Sequence, residues 1–216
     1  MAQIFHPSTN TFSRFTIYLV VLLVISAGTI FGSLHRSPYF TQANVVRTQP
    51  VPFSHRHHVS EIGIDCRYCH VHVEETAVAG IPPTKTCMNC HSQVWKDSPM
   101  LEPVRESYRT GKSLEWVRVH DLADFAYFDH SIHVKKGVGC TTCHGQVDDM
   151  PLMWRDATLL MGWCLDCHRA PENFVRPRSE VFNTQWKPGP DQAEKGRALV
   201  AAHKILRLED CSTCHR

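Results

Sequence analysis

The sequence predicts a mostly irregular chain with short α-helices and one N-terminal transmembrane helix. Three observations lead there. Thirteen Pro and eleven Gly scattered over 216 residues argue against long regular helices or a wide sheet. Residues 15–34 form one uninterrupted apolar run. Ten Cys and fifteen His are an excess that implies cross-links or bound groups, not regular secondary structure, as the organiser of the rest.

The bulk composition, 43% hydrophobic and 20% charged, is that of an ordinary globular chain. With 23 Lys+Arg against 21 Asp+Glu and a net charge of +2, there is no basic field of the kind that neutralises phosphates, so nucleic acid is excluded as a partner.

The apolar run reads FTIYLVVLLVISAGTIFGSL and is flanked by Arg14 and by His35-Arg36. At about 1.5 Å per residue it matches a hydrocarbon core of about 30 Å. Ser26-Ala27-Gly28 has the look of a small-residue cleavage site, but the run continues beyond it and exceeds the apolar region of a secretory signal. A retained signal-anchor in the lipid bilayer is therefore expected. Gly28 and Gly32 form a Gly-x-x-x-Gly pair, a spacing that lets a second membrane helix approach closely.

All ten cysteines fall in five Cys-x-x-Cys-His motifs: Cys66, Cys69 and His70; Cys87, Cys90 and His91; Cys140, Cys143 and His144; Cys164, Cys167 and His168; Cys211, Cys214 and His215. This is the attachment signature of haem c: two thioethers fix one edge of the ring and the adjoining His ligates the iron from the proximal side. Zinc knuckles, thioredoxin-like pairs and disulfide frameworks also use paired cysteines, but none needs a His after every second Cys. The expectation is five covalently bound haem c groups. Because haem c is assembled outside the cytoplasm, residues 1–14 are expected inside, 15–34 in the membrane and 35–216 on the periplasmic side of the inner membrane.

The motifs begin at 66, 87, 140, 164 and 211, two close pairs and a solitary site. Each pair follows the same lead: Phe53-Ser54-His55-Arg56-His57-His58-Val59 before Gly63 and Cys66, and Phe128-Asp129-His130-Ser131-Ile132-His133-Val134 before Gly137 and Cys140. The repetition implies a duplicated two-haem module, 53–91 and 128–168, with a linker over 92–127 and a C-terminal haem segment over 169–216. A Phe-x-His-x-x-His lead before Cys-x-x-Cys-His resembles the small multihaem cytochromes of the c3/c7 type. That resemblance implies His55 as the distal ligand of the haem of His70 and His130 as that of His144. It implies that His58 and His133 cap further irons, most simply those of His91 and His168. His57 has no counterpart in the second copy, where Ile132 stands, and is expected in solvent.

The fifth distal ligand is open among His72, His120, His203, Met150, Met153 and Met161, with Met161 favoured because a Met axial ligand raises a haem's potential. About 36 residues per haem are too few for a conventional core, so the haems are expected to be much of it. Further helices are expected over 103–110, between Pro103 and Gly111, and over 191–207, where Asp191 and Glu194 form a capping-box-like pattern. Residues 114–120 alternate roughly and suggest an extended strip. Arg56, Arg67, Arg118, Arg155 and Arg169 are candidates for haem propionates.

Closely tethered haems on an anchor read as an electron relay, not an enzyme. The single helix, five motifs, paired histidines and the Met161–Arg169 stretch resemble the pentahaem cytochrome subunit of bacterial alternative complex III. That resemblance implies a menaquinol-oxidising respiratory or photosynthetic complex. Its partners would be integral membrane quinol-binding subunits, an iron-sulfur subunit and a monohaem cytochrome, and electrons would pass towards a periplasmic carrier or terminal oxidase. Two alternatives are a single-helix quinol dehydrogenase feeding a periplasmic reductase, disfavoured by the distance from Leu34 to Cys66, and a multihaem reductase, disfavoured because spare ligands exceed irons.

Overall fold

The computed structural model describes residues 5–215, so the first four residues of the 1–14 segment and Arg216 lie outside it. Two compact units are separated at Gln42 and Ala43.

In the first unit, α1 spans Ser8–Arg36 and buries none of its residues. It is long and apolar enough to cross a membrane. Its 29 residues exceed the apolar run because helical hydrogen bonding continues through the polar turn 8–14, giving a rod of about 44 Å. His35 and Arg36 occupy the last turn, where positive charge complements the helix dipole. Ser37 turns extended and the short α2, Pro38–Thr41, follows. Tyr39 and Phe40 are exposed and meet edge to face at 5.3 Å, the kind of aromatic pair found at a membrane–water boundary.

The second unit has no sheet among the described residues, only isolated bridges such as Val46 with Trp154 and Val138 with Val175. Its helices are short: α3 (Cys66–Cys69), α4 (Thr84–His91), α5 (Glu102–Thr110), α6 (His130–Lys135), α7 (Cys140–His144), α8 (Met161–Arg169), α9 (Gln192–Ala202) and α10 (Cys211–Cys214). Two of them begin at a side-chain cap. Asp65 caps α3 by accepting the Arg67 N–H at 2.8 Å, and Asp129 caps α6 by accepting that of Ile132 at 3.3 Å. α5 carries Pro103 in its first turn and ends at left-handed Gly111, as its sequence predicts.

α9 is shorter than the 191–207 expectation. It stops at Ala202 because Lys204 takes a left-handed conformation. Asp191 makes no capping bond and pairs instead with Lys195 at 2.7 Å. The 114–120 strip forms no strand; both polar groups of the Val117 backbone bond the Gln49 side-chain amide instead.

Gly63 and Gly137, each three residues ahead of a first motif Cys, both adopt positive φ, +81° and +87°. A left-handed residue is needed there to turn the chain from the histidine-bearing helical turn into the attachment helix, and only Gly takes it without strain. The repeat in sequence is thus a repeat in backbone.

Buried apolar side chains are few. Val51, Leu101 and Val104 form a cluster against Met88, Leu114 and Trp116, while Met150, Val175 and Val181 are fully buried elsewhere. Polar ties join the two modules: the Arg56 N–H donates to the Met150 carbonyl at 3.1 Å, Ser60 to the Asp148 carbonyl at 2.8 Å, and the Ser131 N–H to the Thr76 carbonyl at 3.2 Å.

Candidate haem centres

Each Cys-x-x-Cys-His motif occupies one helical turn, in α3, the end of α4, α7, α8 and α10. Residues three apart share a helix face, so each pair of sulfurs lies on one side of its turn with the next His below. All ten cysteines are free thiols, which removes a disulfide framework. Burial pushes the Cys140 and Cys167 thiols up to about 11 and Cys143 to about 12, and raises Cys66, Cys69, Cys87 and Cys164.

The histidines come together in twos. Two imidazoles on opposite faces of one metal, each bonded at about 2 Å, have ring centroids roughly 6 Å apart. His58 and His91 are 6.1 Å apart, His133 and His168 6.3 Å, and His130 and His144 6.4 Å. Among the described residues no group of three or more His, Cys, Asp or Glu converges on a point, so a four-donor tetrahedral zinc site is not formed.

The surroundings of the paired histidines match in the two sequence repeats. Phe53 stacks on His58 at 4.4 Å and meets His55 edge-on at 5.0 Å; Phe128 stacks on His133 at 4.5 Å and meets His130 edge-on at 4.8 Å. His58 Nδ1 donates to the Ser54 carbonyl at 2.8 Å, and His133 Nδ1 to that of Asp129 at 2.7 Å. His70 Nδ1 donates to Gly80, His91 to Val94 and His130 to Ala77, at 2.7, 3.0 and 2.8 Å. A carbonyl can only accept, so each Nδ1 carries the proton and each Nε2 is left as a lone-pair donor, the usual second shell of a ligating His. Burial also lowers His58 and His133, and takes His55 to about 4 and His144 to about 3, favouring the neutral form that binds iron. Tautomer, spacing and neutrality all fit axial ligation of a haem.

Other expected ligands are placed less simply. His55 feels the charge of His70, and its buried Nδ1 has no hydrogen-bond partner. His120 lies 4.2 Å from His144, with a buried Nε2 lacking a partner, and burial lowers it to about 4; His144 therefore has both His120 and His130 beside it. His203 caps α9 and its Nδ1 meets the Lys136 carbonyl at 3.2 Å. His72 is exposed, Met150 is buried and Met161 is 64% exposed at the first position of α8. His215 packs on Phe125 at 5.6 Å, and the Tyr127 N–H donates to Cys214 at 2.6 Å. His57 is not free in solvent: it bonds Glu61 at 2.8 Å and stacks on Trp95 at 5.5 Å.

Of the candidate propionate arginines, Arg67, Arg118 and Arg169 pair with Asp65, Asp121 and Glu209, and Arg56 donates to the Asp149 carbonyl. Arg155 is buried, donates to the Asp121 carbonyl at 3.2 Å and keeps an unpartnered Nε. A second buried arginine, Arg176, escapes sequence reasoning altogether. It lies in a Val-Arg-Pro context that reads as loop, and the motif it packs against stands 35 residues upstream in the chain.

Comparison with known proteins agrees with this geometry. Residues 126–216 match the family of cytochrome c7 and related cytochrome c. A stretch of 99 residues, 45% of this chain, is 35% identical to the menaquinone reductase multihaem cytochrome c subunit of Nitratidesulfovibrio vulgaris. It covers 46% of that protein, so the chain spans less than half the length of this relative. Covalently bound haem c is what both similarities carry with them. Residues 126–216, with their Cys-x-x-Cys-His turns and facing histidines, are thus similar to the cytochrome c7 family.

Proposed function

We propose that this chain is a membrane-anchored pentahaem cytochrome c that relays electrons within a menaquinol-oxidising complex of the alternative complex III type. The observation that carries the reading is the near-identical spacing of three histidine pairs, 6.1, 6.3 and 6.4 Å. Haem, when bound, supplies one-electron exchange between ferrous and ferric iron. The chain's own residues tether it through five cysteine pairs, ligate it through His70, His91, His144, His168 and His215, and fix imidazole orientation through backbone carbonyls. His58, His133 and His130 serve as distal ligands of the haems of His91, His168 and His144. His55 serves the haem of His70, and Met161 completes the fifth. With these residues as its ligands each haem would keep no open position for a substrate, which suits an electron carrier and not a catalyst.

In this reading α1 is a retained single-pass anchor in the inner membrane, with 1–14 cytoplasmic and the 35–216 domain periplasmic. The modules are 53–91 and 128–168, joined by the linker 92–127 and followed by the C-terminal haem segment 169–216. The Gly28/Gly32 face, with open space around Gly28, suits packing against polytopic quinol-binding subunits. An iron-sulfur subunit and a monohaem cytochrome complete the complex. The 35% identity to a subunit of a menaquinone reductase favours a second reading, in which electrons run the opposite way, into the quinone pool.

Purification from membranes in mild detergent tests both. Co-isolation with polytopic subunits, five haems per chain and haem reduction on mixing with a menaquinol analogue are expected. Oxidation of pre-reduced haems by menaquinone, without the forward reaction, favours the second reading. A chain that purifies alone and reduces a small substrate at a high-spin haem refutes both.

A further inference from the structure

Arg176 is 4% exposed and packed onto the third attachment motif. One terminal nitrogen donates to the hydroxyls of Thr141 and Thr142, both at 3.2 Å. These are the two residues between Cys140 and Cys143. The other donates to the Asn183 carbonyl at 3.3 Å. Trp186 covers the guanidinium, 4.3 Å from its ring centroid. The approach requires a bare backbone: a Cβ on Gly139 would collide with the Arg176 guanidinium, and one on Gly137 with the Arg176 carbonyl, which belongs to a segment paired with 137–138.

Among the described residues no carboxylate forms an ion pair with this arginine. The Glu180 backbone carbonyl accepts from the guanidinium at 3.5 Å, while its carboxylate bonds the Asn183 amide at 2.6 Å and acts on the arginine only at a distance. Burial presses against the charged form, yet a guanidinium does not deprotonate in a protein, so a net positive charge is fixed in a poorly screened site. The repeat-equivalent motif differs. There Arg67 is about half exposed and neutralised by Asp65 at 2.8 Å, which shows that attachment itself needs no buried cation.

We propose that Arg176 is an electrostatic lever that raises the reduction potential of the haem attached through Cys140 and Cys143. On one-electron reduction the ferric centre loses one positive charge, no bond is made or broken, and the electron comes from the neighbouring carrier. A fixed cation nearby disfavours the ferric form and favours the ferrous one. The inference rests on the multihaem reading above.

The test is spectroelectrochemical titration of the detergent-solubilised full-length protein, with attached haem located by peptide mass. In Arg176→Gln, which keeps a donor for the threonines, one component is expected to shift so that its ferrous:ferric ratio at fixed potential falls about tenfold, equivalent to about 59 mV. Arg176→Lys keeps the charge and should titrate near wild type. Glu180→Gln removes the distant carboxylate and should move the same component the other way. With all haems attached, superimposable curves for wild type and Arg176→Gln, or equal shifts in the Gln and Lys variants, overturn the proposal. If Arg176→Gln does not accumulate, an unshifted Glu180→Gln overturns it. Absence of haem from Cys140 and Cys143 in the wild-type protein instead refutes the underlying multihaem reading, a result visible before any titration.

Discussion

The imidazole of His58 shows how much one side chain is constrained. Phe53 lies flat against it, the Ser54 carbonyl accepts from its Nδ1–H, and His91 faces it at 6.1 Å. His133 repeats the arrangement with Phe128, Asp129 and His168. Replacing either by Ala should leave one iron five-coordinate. The expected outcome is conversion of one haem from low to high spin, read by EPR and the visible spectrum, with covalent haem content unchanged. His58→Met should keep that haem low-spin and raise its potential. Asp65 offers a pH test at the same scale. Arg67 holds its carboxyl at about 2, below its ordinary value, so the stabilisation is complete above the usual carboxylate range near pH 4 and disappears as pH falls through about 2. Asp65→Ala should cost about 1 kcal/mol at neutral pH through loss of the cap, and the difference from wild type in a denaturant titration should close at acid pH.

At the level of elements, α9 carries a glycine whose removal runs against propensity. Ala normally outperforms Gly inside a helix by roughly 0.5–1 kcal/mol. At Gly196, however, a Cβ would overlap the Glu172 carbonyl in the turn Pro171–Asn173. Gly196→Ala should therefore destabilise the holoprotein, by about 1–3 kcal/mol as for other overpacked sites, measured as a lowered melting midpoint. The attachment turns, the α5 boundaries and the long N-terminal helix were legible in the sequence because each is set locally, by motif spacing, by Pro103 and Gly111, or by an unbroken apolar run. The end of α9, the pairing of Asp191 with Lys195 and the bonding of Val117 to Gln49 were not. Each depends on a conformation or partner that helical and strand periodicity do not encode. The site divides the same way: the five attachment motifs and paired histidines are written in the chain, whereas Arg176 acquires its place only when residues 175–176 fold back on 137–139.

For the whole molecule, ten cysteines and the paired histidines amount to one requirement, since few apolar side chains are buried without the cofactors. Ablating one attachment site, for example Cys87→Ala with Cys90→Ala, should lower haem content by one per chain by pyridine haemochrome assay. Because His58 faces His91, it should also loosen the π-helical turn Arg56–Glu61 and its bonds to residues 147–150, measured as faster amide exchange there. A loss confined to residues 84–91 would show that the modules are independent of one another.

The bond from His130 Nδ1 to the Ala77 carbonyl crosses from the second module to the first, and it orders events in time. In the proposed topology, with residues 1–14 kept in the cytoplasm, residues 53–91 would cross the membrane before residues 128–168. In the proposed haem-bound protein the 76–77 segment would select the tautomer of His130, leaving Nε2 as its donor. On the proposed reading, folding of the first half would precondition ligation in the second. A chain with the two halves permuted would accept its cofactors more slowly and with more mis-ligated products, although every contact in the finished protein could still be formed.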